Sequence, residues 1–293
     1  MTTLLAYPNV SEGRDADTIR RIGAAFGPGL LDVHSDPDHH RSAYTLAGAP
    51  GRLAQAVRDG AAKTIELVTI DGHDGLHPRV GAVDVAAIVF LHQADRGAAC
   101  AEALVLADLL GAELALPVFL YGVLGGGRSR AELRRGGPQA LARRIEAGEL
   151  RPDFGPLELH PTAGAVLVAA RPPLIAFNLE LKPPATLEDA RAIAAKIREG
   201  ATDGLPGVRA IGLWLPERNL AQVSTNVEDH RATPLAELVA AVAGHAALAG
   251  AGLAGAELVG LAPREALADF PPELPLRGHA TIEDALARGP RTA

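Results

Sequence analysis

The sequence predicts an α/β (α+β) protein built from small split βαβ units, not one doubly wound sheet. Three observations carry this expectation. Apolar periodicity switches repeatedly between the strand and helix periods along the chain. Strand and helix are mixed, and segments such as 207–215 and 219–227 put two strands in succession around a turn that a hairpin can make. The same rhythm also runs on both sides of the connection Arg171-Pro172-Pro173.

The elements follow in order. "TTLLAYPNV" predicts a strand ending at Pro8. Residues 15–26 predict a helix with Ile19, Ile22 and Phe26 on one face. "GLLDVHS" and "SAYTLAG" predict two strands, and residues 51–68 a helix with Leu53, Val57, Ala61 and Ile65 on one face. "VDVAAIVFL" reads as a buried strand, residues 98–111 as a helix, and "LPVFLYG" as a strand. Residues 129–148 look helical but are interrupted at Gly136-Gly137-Pro138, and "AVLVAA" is a further strand. In the second half, "PLIAFNLEL" is a strand, and "TLED" from Thr186 opens a helix with a hydroxyl cap before acidic residues. Two strands, 207–215 and 219–227, come next. Thr233 as cap and Pro234 at the first helical position open another helix. "AELVGLA" predicts a strand, "PREALADF" a short helix and "TIEDALARG" a last capped helix.

The length, 293 residues, suits one large domain or two modest ones. The boundary is expected at the double proline, giving ranges 1–172 and 173–293. Hydrophobic residues at 48% permit a packed core, and aromatics at 3% require it to be built from Ala, Val, Leu and Ile. The net charge of −7 and the lack of a basic patch argue against a nucleic-acid partner. A single cysteine, Cys100, excludes an intramolecular disulfide and a Cys-based zinc knuckle. Its helical surroundings predict a buried, inert thiol. The first ten residues carry no basic stretch followed by a long apolar run, so no secretory signal is read. The Ala-rich run 232–262 is broken by His245 and by glycines, so no membrane span is read either. The expectation is a soluble, cytoplasmic protein.

Which residues carry chemistry? His73 and His77 are four apart, the spacing of a helical metal pair, but Gly72, Gly75 and Pro78 oppose a helix there. "DPDHH", Asp36 to His40, groups carboxylates and imidazoles that can also serve as loop caps. No Gly-x-Ser-x-Gly elbow occurs. "GGGRSR" has neither P-loop nor Rossmann spacing, and the glycines of "GAGLAGAELVG" follow a helix where a Rossmann turn follows a strand. Four polar loops remain: "YPNVSEGRD", "DPDHHRSAYT", "DGHDGLHPRVGAVD" and "PDFGPLELHPTAG". If they converge, they line a cleft with Arg14, Arg41, Arg79, His77 and His160. Guanidinium groups grip carboxylates at two points, and an imidazole transfers protons near neutral pH. The residues alone therefore point to a transferase or hydrolase acting on an acidic small molecule.

The same loops resemble the formiminotransferase family, from residue 5 to about residue 270. "YPNVSEGRD", "SDPDHHRSAYTLAG", "HPRVGAVD", "PDFGPLELHPTAGAVLVAARPPLIAFNLEL" and "NLAQVSTNVED" match its segments in order. The chain departs from the family pattern at His40, where asparagine is common, and in the glycine-rich stretch after "FLYG". The resemblance implies two ferredoxin-like subdomains packed side by side, with the catalytic histidine and a folate loop in the first, and a homodimer. It implies transfer of a formimino group from N-formimidoyl-L-glutamate to tetrahydrofolate, with or without a polyglutamate tail. Tetrahydrofolate is then a co-substrate, and no metal is needed. The family's catalytic histidine matches His77, and His73 becomes a loop neighbour. Its folate segment matches Gly155, Pro156, Leu157, Glu158, Leu159, His160, Pro161, Thr162, Ala163 and Gly164. Arg79 is expected as a carboxylate clamp, and Asp32, Asp36 and Arg41 as neighbours lining the same cleft. A different one-carbon donor or acceptor, and a folate binder without turnover, are the competing readings.

Overall fold

The computed structural model of the protein describes residues 2–290. Met1 and residues 291–293, which the expected domain ranges include, lie outside the described residues. The chain divides into two compact units, one running to Pro172 and the other covering Pro173–Arg288.

The first unit begins with β1 (Leu4–Val10), α1 (Ala16–Ala25), β2 (Leu30–Asp36), β3 (Arg41–Gly48), α2 (Leu53–Leu67) and β4 (Val83–Phe90). These strands lie in the order β2-β3-β1-β4, antiparallel at every step. Each βαβ unit is split by a strand of the other, which is the ferredoxin-like arrangement. The chain continues through α3 (Arg96–Leu114), β5 (Val118–Leu120), α4 (Arg130–Arg134), α5 (Gly137–Glu146) and β6 (Val166–Arg171). β6 joins parallel to β4 and β5 parallel to β6, which completes six strands.

Alternation along the strands decides which face meets the helices. Leu4, Ala6, Tyr44, Leu46, Ala86, Ile88, Val166 and Val168 share one buried cluster with Ile22 and Phe26, Val57 and Ala61, and Leu106 and Leu110. α2 has no side-chain cap of its own. Buried Glu102 of α3 supplies one, accepting the N–H groups of Gly51 at 2.5 Å and Ala54 at 2.7 Å. A carboxylate at that end satisfies orphan donors and meets the positive pole of the helix.

The second unit repeats the pattern with β7 (Ile175–Leu181), α6 (Leu187–Ile197), β8 (Val208–Leu215), β9 (Leu220–Val227), α7 (Leu235–Leu248) and β10 (Leu253–Leu258). A short β11 (Leu276–Arg277) and α8 (Ile282–Arg288) follow. The sheet order is β11-β10-β7-β9-β8, so the four main strands again show split βαβ topology. Phe177, Leu179, Ala221 and Val223 face Ile193, Ile197, Leu238 and Val242 in the core. Between them on the strands stand Asn178, Glu180, Gln222 and Glu257. Glu180 takes charge-assisted hydrogen bonds from Arg218 and Arg277, and Glu257 accepts from Asn178 at 3.0 Å.

Several elements differ from the sequence expectation. β1 continues through Pro8 to Val10. The β1–β3 ladder pairs residues 4–6 and 9–10, and its gap accommodates the proline. α7 starts one residue later than expected. The Thr233 hydroxyl donates to Pro206 O at 2.8 Å, so a tertiary partner draws it off and Pro234 itself stands at the cap. Residues 264–267 form a single 3-10 turn where a short helix was expected. Cys100 is a free thiol at the edge of the first core and only partly buried. Among the described residues no helix is long and apolar enough to cross a membrane.

Two stability outcomes follow from this packing. A Cβ at Gly60 of α2 would lie 2.1 Å from the Phe26 ring. Gly60→Ala is therefore expected to lower the unfolding free energy by about 1–3 kcal/mol, against the usual helix preference for alanine. Urea denaturation measures this, and a raised midpoint would contradict the overpacking. Thr186 and Asp189 close a capping box on α6. Thr186→Ala is expected to cost about 1 kcal/mol in the same experiment, and an unchanged midpoint would show that the box contributes nothing.

Candidate active site

β4 is buried at every position, and its second residue, Asp84, has no exposed surface. A carboxylate left alone there would be prohibitive. It has partners on three sides. Val80 N–H donates to Oδ1 at 2.8 Å, Arg41 Nη1 donates to Oδ2 at 2.7 Å, and Arg134 reaches it through Nη2 and through Nε at 3.3 Å. Burial pushes the Asp84 carboxyl upward. Arg134 and Arg41, with the hydrogen bonds from Arg41 and Val80, outweigh burial and hold it below the ordinary carboxylate value. Two guanidinium groups thus converge on one anion and leave net positive charge.

Arg41 begins β3, and burial brings its pKa down to about 10 despite Asp84. It also donates through Nε to Asn9 Oδ1 at 3.1 Å. Its Nη1 lies 3.3 Å from His77 Nδ1. The partly buried His77 has a closer neighbour, the carbonyl of Pro78 at 2.8 Å from the same nitrogen. A carbonyl only accepts and a guanidinium only donates, so Nδ1 can serve just one of them. The shorter contact assigns the proton to Nδ1 and leaves Nε2 as the basic nitrogen. Among the described residues nothing hydrogen-bonds to Nε2. Burial, then Arg41, Arg134 and His39, hold the His77 pKa well below the ordinary histidine value, against a smaller opposing effect of Pro78 O.

His73 is a structural residue. Its Nε2 donates to Ser11 O at 3.0 Å and its Nδ1 accepts from Gly75 N–H at 3.1 Å. Burial and then Arg79 lower its pKa to about 4. Its ring stacks on His40 at 4.2 Å, and His40 accepts from Gly13 N–H at 3.1 Å. With both nitrogens of His73 occupied, it has no pair of electrons for a metal shared with His77. Among the described residues no cluster of three or more His, Cys, Asp or Glu side chains could hold a metal ion.

Arg79 spends its N–H groups on its own loop. Nη1 donates to Gly75 O at 2.8 Å and His77 O at 3.0 Å, and Nη2 donates to His73 O at 2.5 Å. It fixes the shape of the loop around His77, with two N–H groups left over. Arg14 joins two loops through Pro37 O at 3.0 Å and Asp74 at 2.7 Å. Asp36, the last residue of β2, accepts His39 N–H at 2.7 Å and closes the turn before Arg41, opposite which it pairs. Asp32 pairs with Thr45, four residues back along β2, about 13 Å away by strand rise. The strand therefore separates Asp32 from the turn that holds Arg41.

The segment 155–164 lies beside the His77 loop. Ile70 N–H donates to Thr162 O at 2.9 Å, Ala82 N–H to Ala163 O at 2.9 Å, and Ala165 N–H to Val80 O at 3.0 Å. Gly81 makes this approach possible, since a Cβ there would meet Ala165 O at 1.9 Å. His160 and Gly164 exchange two backbone bonds of 2.9 Å, and His160 Nδ1 accepts from Ala163 N–H at 3.1 Å. Residues 155–158 are exposed, with Leu157 at 55%.

Sequence reasoning singled out His77 and Arg41 but missed Arg134 and Asn9. The available signal was Asp84, a lone acid inside an apolar strand, which demands cationic partners. Nothing in the spacing says that one of them comes from fifty residues downstream.

The model of the formiminotransferase domain's N-terminal subdomain matches residues 3–171, and that of the formiminotransferase domain matches residues 176–271. The chain is 38% identical over 276 residues to formimidoyltransferase-cyclodeaminase of Sus scrofa, covering 89% of this chain and 50% of that one. It is 33% identical over 278 residues to glutamate formimidoyltransferase of Thermoplasma acidophilum, covering 92% and 91%. With the glutamate formimidoyltransferase of Streptococcus pyogenes it shares 33% identity over 269 residues, 89% of each. It spans about half the length of the first of these relatives and most of the other two. By both its matched halves and these near full-length likenesses, the chain belongs to the formiminotransferase family.

Proposed function

We propose that this protein is a glutamate formimidoyltransferase. It moves the formimino group of N-formimidoyl-L-glutamate to N5 of tetrahydrofolate and releases L-glutamate and 5-formimidoyltetrahydrofolate. One observation carries the reading: His77 has Nδ1 engaged by Pro78 O and Nε2 open, on a loop joined by backbone hydrogen bonds to segment 155–164. Family membership supports the choice of substrates, and also the reading as a cytoplasmic homodimer.

N5 of the folate attacks the formimino carbon and loses its proton to His77 Nε2 as the new C–N bond forms. The tetrahedral adduct then collapses. The C–N bond to glutamate breaks, and the imidazolium returns the proton to the departing nitrogen. One imidazole acts as base and then as acid. A histidine whose charged form is disfavoured gives the proton back readily. Segment 155–164, including His160, is the folate contact in this reading. The net positive charge beside His77 suits substrates that carry carboxylates. Arg41 and the unspent N–H groups of Arg79 are assigned to those carboxylates, and Asp36, at the turn before Arg41, to a polar group of the folate, whereas Asp32 lies too far back along its strand for that contact.

Incubation with N-formimidoyl-L-glutamate and tetrahydrofolate should give 5-formimidoyltetrahydrofolate, and absence of that product would overturn the assignment. His77→Ala is expected to lower kcat about 10²–10⁴-fold with folate binding retained. Full turnover in that variant would remove the proton shuttle. For the parent protein, the acid limb of kcat/KM against pH should lie well below the ordinary histidine value, because the folded pKa of His77 is depressed. The base stays unprotonated as pH falls through 6.5 and fails only as pH reaches its lower folded pKa. An acid limb at or above 6.5 would contradict this.

A further inference from the structure

α4 is a helix of five residues that neither the motifs nor the proposed chemistry uses, apart from Arg134 at its end. It is held at several points. Leu133 is fully buried. Ser129 caps the helix by accepting Glu132 N–H at 3.1 Å. The Arg130 guanidinium lies 5.7 Å from the centre of the Tyr121 ring. Arg128, in the glycine-rich stretch just before, grips both oxygens of Asp153 at 2.6 and 2.7 Å. Asp153 also accepts Leu120 N–H at 2.7 Å. A glycine loop exposed at Gly126 and Gly127 is thus tied down immediately ahead of the helix, and the helix aims one side chain at Asp84.

Asp84 would be satisfied by Arg41 and Val80 N–H alone, as a neutral pair. Arg134 adds a second cation to a pair that is already balanced, and it does so with only 10% of its side chain exposed. Desolvating a guanidinium costs stability, and nothing in the packing of the strand requires it. Its effect falls on the neighbouring imidazole. The charged and titratable groups that face His77 are Arg41 from β3, Arg134 from α4 and His39 from the turn before β3, with Asp84 of β4 bound to both arginines. Among the described residues the polar atoms within hydrogen-bond distance of the His77 ring are Arg41 Nη1 and Pro78 O, and neither belongs to a carboxylate.

We infer that Arg134 is a positioning residue that sets the proton state of His77, and that the segment 125–134 exists to hold its guanidinium against Asp84. The excess cation keeps the imidazole neutral, with its proton on Nδ1 and Nε2 ready to accept. It also keeps Arg41 fixed by sharing the same anion. The inference deepens the proposed function and rests on His77 as the proton shuttle, with Arg134 acting through its neighbours and touching no substrate.

The test is the titration of His77 followed by NMR in the full chain, beside the pH profile of kcat/KM, for the parent, Arg134→Met, Arg134→Lys and Arg128→Met. With Arg134→Met, Asp84 and Arg41 remain as a neutral pair, so the midpoint of His77 and the acid limb should rise together by about one pH unit. Arg134→Lys keeps the charge and should hold both near the parent values while losing part of kcat. Arg128→Met frees the preceding loop and should move both upward by less. A folded Arg134→Met protein with an unmoved His77 midpoint overturns the inference. If that variant does not fold, an unmoved midpoint in Arg128→Met overturns it instead. A parent protein without formimidoyl transfer would sink the proposed function, while the NMR midpoints would still decide this inference.

Discussion

The candidate site depends on one buried anion. Asp84 sits in a strand with no exposed residue, and the structure around it is arranged so that it never stands alone. It joins the start of β3, through a cation, and the loop before β4, through an amide, and the short helix α4 brings a second cation to the same carboxylate. A buried charge of this kind contributes little net stability when paired, and breaking one partner away is costly. Its value lies in specification: the carboxylate fixes where Arg41 and Arg134 stand, and so fixes the field in which His77 works.

The loops around His77 are satisfied almost wholly by backbone and imidazole atoms. Arg79 holds three carbonyls, His73 bridges two loops, and His40 takes an amide from the opening segment. Each group that a sequence reader would nominate for binding thus has a structural occupation already. His77 differs in that its Nδ1 faces a carbonyl and must donate, which leaves Nε2 bare and basic, whereas Nδ1 of His40 and of His160 accepts an amide and so places the proton on Nε2. That asymmetry, more than the presence of an imidazole, makes it the chemically competent member of the group.

Much of the fold could be read from periodicity. The apolar run "VDVAAIVFL", the alternation in "IAFNLEL" and "LAQVSTNV", and the paired strands 207–215 and 219–227 carry the element types and the repeated split-βαβ rhythm. The misreadings have tertiary causes. Pro8 fits inside β1 because a gap in one ladder receives it, and Thr233 is drawn from its cap by a distant carbonyl. For the site, the motif "HPRVGAVD" marks the loop that carries His77, but its spacing does not show that loop carbonyls take three of the N–H groups of Arg79. Arg134 was invisible because local spacing carries no information about a partner from another part of the chain.

The backbone bonds between the His77 loop and segment 155–164 have a consequence for engineering. Gly81 faces Gly164 in a bridge, and bonds flank it on both sides, so neither loop has a conformation independent of the other. An insertion, deletion or graft in one loop would leave the other with unpaired amides. The two segments therefore constitute a single transplantable module, and a graft between relatives must carry both loops together to keep these amides paired.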